Sequence, residues 1–156
     1  MKYGVGDTVP DFEMESTDGS VFRLSDAAAK NPVLINFYVG DFGINCTNYM
    51  TKFNERIEEI TSLGVTVVGV NDNPMDGHKM FKQRLALKWE LLFDKNKAVA
   101  AEWKCIVGPG HISSGMTNRE FYLVDKDLKV LFKWRSEVPK QLPEFDEILD
   151  GVKKAL

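Results

Sequence analysis

The sequence predicts an α/β protein with a mixed central β-sheet and helices on both of its faces. Three observations carry that prediction. Short runs of β-branched and aromatic residues have the composition of strands buried on both faces. The stretches between them change to a helical repeat, and the chain closes with a hairpin followed by one more amphipathic helix.

Residues 32–38, "PVLINFY", are the first such run, and "VTVVGV" (65–70) and "FYLVD" (121–125) share its character. From Thr47 the period changes: Met50, Phe53, Ile57 and Ile60 recur every three or four residues, and Gly64 follows as a C-terminal stop. A second helix is expected from Pro74, a residue tolerated in a first turn, with His78, Phe81 and Leu85 on one face. "WELLF" (89–93) reads as a strand and "AVAAEWK" (98–104) as a short helix. "DKDLK" supplies a hairpin turn before the strand "KVLFKW" (129–134). Behind Pro143, the spacing of Leu142, Phe145, Ile148, Leu149, Val152 and Leu156 predicts a last helix packed on the sheet.

With 156 residues, 44% of them hydrophobic, the chain is expected to form one domain over 1–156 with a genuine core. The formal charge is −3 and the basic residues are spread out, so no basic stripe points to nucleic acid or an anionic membrane. "MKYGVGDTVPDF" lacks the apolar run of a secretory signal, and no later segment has the length of a bilayer span. The expectation is a soluble cytoplasmic protein with a small-molecule partner. Three tryptophans, Trp89, Trp103 and Trp134, are expected in the core or at an interface.

Two cysteines are too few for a disulfide scaffold and lack the paired spacing of a zinc site. Cys46 stands where the first helix begins, with Asn45 or Thr47 as acceptable N-caps. Free backbone N–H groups and the positive end of the helix dipole converge there and favour a thiolate. Its spacing to Met50 and Phe53 turns it toward the packed side of the helix. Position alone leaves two readings open, a reactive thiol and a small buried hydrophobe.

The order and wording of these segments resemble the peroxiredoxins, the alkyl hydroperoxide reductase and thiol-specific antioxidant superfamily, and within it the small bacterioferritin-comigratory (PrxQ-like) branch. The resemblance runs through "VGDTVPDFEMESTDGSVFRLSD", "VLINFYVGDFGINCT", "GVTVVGVNDNPMDGHKMFKQRLAL", "LLFDKNKAVAAEWKC" and "NREFYLVDKDLKVLFKW". It implies a thioredoxin fold with an N-terminal hairpin extension. In that family a proline, a threonine or serine four positions on, and the reactive cysteine three positions further form the site, joined by an arginine from a later strand. Laid on this chain, the cysteine is Cys46 and the arginine Arg119, which would stabilise thiolate and peroxide. Val39 occupies the proline position and Gly43 that of the hydroxyl residue, which in the family hydrogen-bonds peroxide. Val39, Gly43, Ile44 and Asn45 would line the substrate pocket. Tyr49 and Asn54 stand where the first helix usually has an acidic and a basic residue.

The resemblance further implies that the Cys46 thiolate takes an oxygen from a hydroperoxide to become a sulfenic acid, reduced afterwards by a second cysteine or by an external thiol such as thioredoxin or a small-molecule thiol. Thr51 occupies the family's usual resolving position, so Cys105 is the one internal candidate, with an external reductant as the alternative. Two other readings stay open: a relative that uses the thiol as a redox-sensitive binding module, and thiol–disulfide exchange by Cys46 alone. The thioredoxin-type C-x-x-C frame is excluded, because "GINC" has glycine at its first position. Monomer and homodimer are both compatible with the resemblance.

No cofactor is expected. His78 and His111 are far apart in sequence and make a weak case for a metal site, and His78 reads as a satisfied or solvent-facing histidine. "VGPGHISSG" (107–115) fits neither a phosphate loop nor a dinucleotide fingerprint and is expected to be a loop beside the site, just before Arg119.

Overall fold

The computed structural model describes residues 2–138 and 141–156. Met1, Pro139 and Lys140, which the expected domain 1–156 includes, lie outside the described residues. Among the described residues, seven strands join in one sheet: β1 (Glu13–Ser16), β2 (Val21–Arg23), β3 (Val33–Phe37), β4 (Thr66–Asn71), β5 (Glu90–Phe93), β6 (Glu120–Val124) and β7 (Val130–Arg135). Their spatial order is β2-β1-β5-β4-β3-β6-β7. Strands β3, β4 and β5 run parallel, and the rest join antiparallel. Among the described residues six α-helices pack around them: α1 (Leu24–Lys30), α2 (Ile44–Arg56), α3 (Glu58–Thr61), α4 (Met75–Leu85), α5 (Ala98–Glu102) and α6 (Phe145–Ala155).

The apolar runs behave as two-sided strands. Every residue of β3 and β6 is buried, and alternate side chains feed two separate cores. Leu34, Tyr38, Leu91, Phe121 and Leu123 pack with α2, α3, α4 and α6 on one face. Val33, Ile35, Phe37, Val68, Val70, Leu92, Tyr122 and Val124 pack with α1, α5 and the N-terminal segment on the other. All three tryptophans are buried. Trp103 anchors the second core, its ring 5.1 Å from Tyr122, 5.3 Å from Phe37 and 6.0 Å from Phe12 between centroids. In the first core Phe53 touches Tyr49, Phe121 and Phe145, which pins α2 against both β6 and α6.

Helix α4 begins at Met75 with Pro74 as the flanking N-cap, one residue later than its composition predicts. Helix α2 begins earlier than expected. Gly43 is the N-cap, and Asn45 and Thr47, the expected caps, lie within the first turn. The reason is local: Phe42 takes a left-handed backbone (φ 61°) that turns the chain into an extended Gly43, and the Thr47 amide then donates to the Gly43 carbonyl at 2.8 Å. Helix α1 has no sequence repeat that announces it.

Gly151 sits inside α6, where alanine is intrinsically better by about 1 kcal/mol. Here the order reverses, because a Cβ at this position would land in the ring of Phe132. Gly151→Ala is therefore expected to destabilise the fold by about 1–3 kcal/mol, the cost of overpacking. Urea denaturation checks this, and a variant as stable as the parent would show that α6 does not press on β7 as described.

Candidate active site

Cys46 is the third residue of α2 and only 2% exposed. It belongs to the same core as Met50 and Phe53, as its spacing to them predicts. The first intrahelical bond is that of Thr47, so the amides of Ile44, Asn45 and Cys46 make no bond within the helix and put the positive end of its dipole in the turn that carries the thiol. Gly43 and Asn45 are exposed, and Val39 is half-buried against the core. Ile44 is 80% exposed and turns outward. It lines a separate pocket of about 300 Å³ with Phe42, Thr47, Asn48, Phe81, Arg84 and Leu85.

Arg119 is buried at the foot of β6. The period of two along the strand puts it on the face of Phe121 and Leu123, the face that α2 covers. The backbone beneath it is fixed on both sides: the Asn118 amide donates to the Cys105 carbonyl at 2.8 Å, and the Ser136 amide donates to the Arg119 carbonyl at 3.0 Å. Tyr49, one turn along α2 from Cys46 and buried, lies within electrostatic reach of both Cys46 and Arg119. Its hydroxyl pairs with the Asn36 side-chain amide of β3 at 3.2 Å. Burial pushes the Tyr49 phenol well above its usual range. The Cys46 thiolate adds to that rise, while the Asn36 bond and the charge of Arg119 oppose it. Thiol, phenol and guanidinium thus share one electrostatic environment in an otherwise apolar core.

Cys105 is on the other side of the sheet. It packs in the core of Trp103 and Tyr122, whereas Cys46 packs in that of Phe53 and Phe121. Both cysteines are free. The Tyr122 hydroxyl donates to Glu120 Oε1 at 2.9 Å, accepts from Lys133 Nζ at 2.6 Å and lies 3.5 Å from the Cys105 sulfur, whose S–H faces the Trp103 carbonyl at 3.8 Å. Burial pushes the Cys105 thiol far above its ordinary range, and the Glu120 carboxylate raises it further. Cys105 stays a protonated thiol. The fold therefore does not bring this candidate resolving residue to Cys46: the sheet lies between them.

The sequence reading passes over one set of residues at the site. His78 is fully buried and satisfied. Its Nε2 lies 3.0 Å from the Leu92 carbonyl and its Nδ1 lies 2.7 Å from Asp41 Oδ2. The Tyr38 hydroxyl donates to the other oxygen of Asp41 at 2.6 Å. The one sequence signal for this was a histidine three residues before Phe81 on the apolar face of α4. The loop 107–115 leads into the strand of Arg119, and its Val107, Gly108 and His111 line a pocket of about 200 Å³ with Asn118, Arg135, Ser136 and Glu137. Among the described residues no group of three or more His, Cys, Asp or Glu side chains is placed to hold a metal ion, and no helix is long and apolar enough to cross a membrane.

Residues 5–133 match the model of the AhpC/TSA family. Peroxiredoxin Bcp of Bacillus subtilis (strain 168) is 29% identical over 138 residues, covering 86% of this chain and 87% of that protein. The crystal structure of peroxidoxin BcpB from Mycobacterium tuberculosis superposes with a TM-score of 0.81 at 27% identity, over 96% of each chain. PrxQ from Xylella fastidiosa gives a TM-score of 0.87 at 18% identity, over 99% of this chain and 98% of that one, a likeness of fold. The sheet and its helices are those of a thioredoxin-fold peroxiredoxin, and the chain belongs to the AhpC/TSA family.

Proposed function

We propose that this protein is a thiol peroxidase that reduces hydrogen peroxide or alkyl hydroperoxides at Cys46 and is returned to its thiol by an external reductant. The observation that carries this reading is the placement of Cys46 at the third position of α2, where its thiol and the guanidinium of Arg119 both act on the Tyr49 hydroxyl. Membership of a family whose relatives are named peroxiredoxins supports it.

The chemistry follows from that placement. The Cys46 thiolate attacks the distal oxygen of the hydroperoxide, an S–O bond forms as the O–O bond breaks, and the alkoxide or hydroxide that leaves takes a proton from water. Arg119 and the open amides of the first turn face the negative charge as it moves from sulfur to the departing oxygen. A first external thiol converts the sulfenic acid to a mixed disulfide and releases water. A second thiol displaces Cys46 and leaves as the external disulfide. The separation of Cys105 from Cys46 by the sheet favours this route over an internal disulfide.

The test is peroxide consumption with a small dithiol, and separately with thioredoxin and its reductase. Cys46→Ser is expected to abolish turnover and Cys105→Ser to retain it. Loss of turnover in Cys105→Ser, with the first oxidation of Cys46 intact, would contradict the external route.

A further inference from the structure

Residues 39–43 connect β3 to α2 and so set where the first turn of α2, and with it Cys46, stands. That connection is fastened at one point. The Asp41 side chain is 3% exposed and accepts from both the Tyr38 hydroxyl and His78 Nδ1. The Asp41 amide donates to Asn73 Oδ1 at 2.7 Å, and Asn73 is held in turn by Asn71 through bonds of 3.0 Å in each direction. His78 carries the fastening into the body of the protein, because its other nitrogen meets the Leu92 carbonyl on β5.

Both ring nitrogens of His78 therefore face acceptors, a carboxylate and a carbonyl. A neutral imidazole has one donor and could satisfy only one of them. Both acceptors are met only when each ring nitrogen carries a proton, and the two residues then form a buried ion pair. Tyr38 and Asp41, both in the connection that follows β3, are the titratable groups that face the His78 ring. A buried pair of this kind offers little net stability over an apolar pair, so a gain in folding energy does not explain its presence. Gly77 gives independent support. It lies in the first turn of α4, in place of a better helix former, and a Cβ there would come within 3.3 Å of Asp41 Oδ2. The helix yields room to the carboxylate.

We propose that Asp41 and His78 are positioning residues for Cys46: a buried carboxylate–imidazolium pair that locks the 39–43 connection and thereby holds the first turn of α2 in its reactive geometry. The proposal rests on the peroxidase reading for its effect on rate. Neither residue touches the thiol. Tyr38 is the link, since its hydroxyl donates to Asp41 and its ring packs in the core that encloses Cys46. A displacement of the reacting atoms by about 1 Å can cost on the order of 10²-fold in rate.

Asp41→Asn and His78→Gln, in a Cys105→Ser background, are compared with Val152→Ala, which opens a cavity in the same core but lies on α6 away from the loop. The loop variants are expected to lose about 10²-fold in the second-order rate of Cys46 oxidation by hydrogen peroxide, and the α6 variant less than about twofold at comparable melting temperature. Alkylation of Cys46 by iodoacetamide is measured on the same proteins. If even the parent reacts with peroxide no faster than free cysteine, the peroxidase reading fails, while the alkylation ratios still read the positioning. Nitrogen-15 NMR of the parent is expected to find both His78 nitrogens protonated at pH 7. Folded loop variants with parental rates would overturn the proposal. So would a His78 ring with one bare nitrogen, a result obtained on the parent whether or not a variant folds.

Discussion

Gly43→Thr is expected to speed the oxidation of Cys46 by about 10²-fold, the typical worth of a hydrogen-bond donor aimed at charge developing in a transition state. The site is built to accept the change. Gly43 has N-cap backbone angles, φ −64° and ψ 139°, which threonine and serine adopt without strain. An added Cβ meets only the Gly40 carbonyl, at an ordinary 3.6 Å. Replacing glycine by threonine at an N-cap alters stability by no more than a few tenths of a kcal/mol, so a gain in rate would not be a gain in folding. Gly43→Val provides the shape without the hydroxyl. Stopped-flow oxidation should separate threonine and serine from valine and the parent. Equal rates for threonine and valine would mean that the amides of α2 and Arg119 already supply all the stabilisation the reaction uses.

Arg119→Leu is expected to lower the same rate by about 10²–10³. Arg119 is the cation whose charge reaches the Tyr49 hydroxyl, and the Cys46 thiolate acts on that same hydroxyl with opposite sign. Leucine keeps apolar volume at a buried position, and the backbone bonds of Asn118 and Ser136 that set the strand are independent of the side chain. Arg119→Lys should fall between, since it keeps a charge but loses the planar fork of donors. Melting curves taken alongside identify any loss that is only unfolding. An Arg119→Leu variant that is folded and oxidised at the parental rate would remove Arg119 from the chemistry.

The parts of the fold that could be read from the sequence are those in which a single periodicity carries the structural reason. β3 and β6 are buried on both faces and read as mostly apolar runs, and the helical repeat of Met50, Phe53, Ile57 and Ile60 predicted as one helix the segment that folds as α2 and α3. Helix α1 was hidden because seven residues with three alanines offer too short a repeat. The hairpin of β1 and β2 was legible only through family likeness, since β2 is three residues long and mostly exposed. Asn45 and Thr47 misled about the start of α2, because cap preferences rank residue types and cannot see that Phe42 has already turned the chain. Cys46 was visible in the sequence because a helix start is a local feature. The pairing of Asp41 with His78 was not, since it joins residues 37 positions apart through a loop and another helix. The separation of the two cysteines is likewise a property of the sheet: each sits beside a strand, and only the pairing of β3 with β6 fixes which face each one belongs to.

The central claim is that this scaffold makes the Cys46 thiol a fast reductant of peroxide without a hydroxyl at position 43. Stopped-flow mixing of the reduced protein with hydrogen peroxide, followed by tryptophan fluorescence and by mass, tests it most directly. The account predicts a second-order rate well above that of free cysteine in the same buffer, a gain of one oxygen atom at Cys46, no signal in Cys46→Ser and an unchanged rate in Cys105→Ser. A Cys46 oxidised no faster than free cysteine would contradict it.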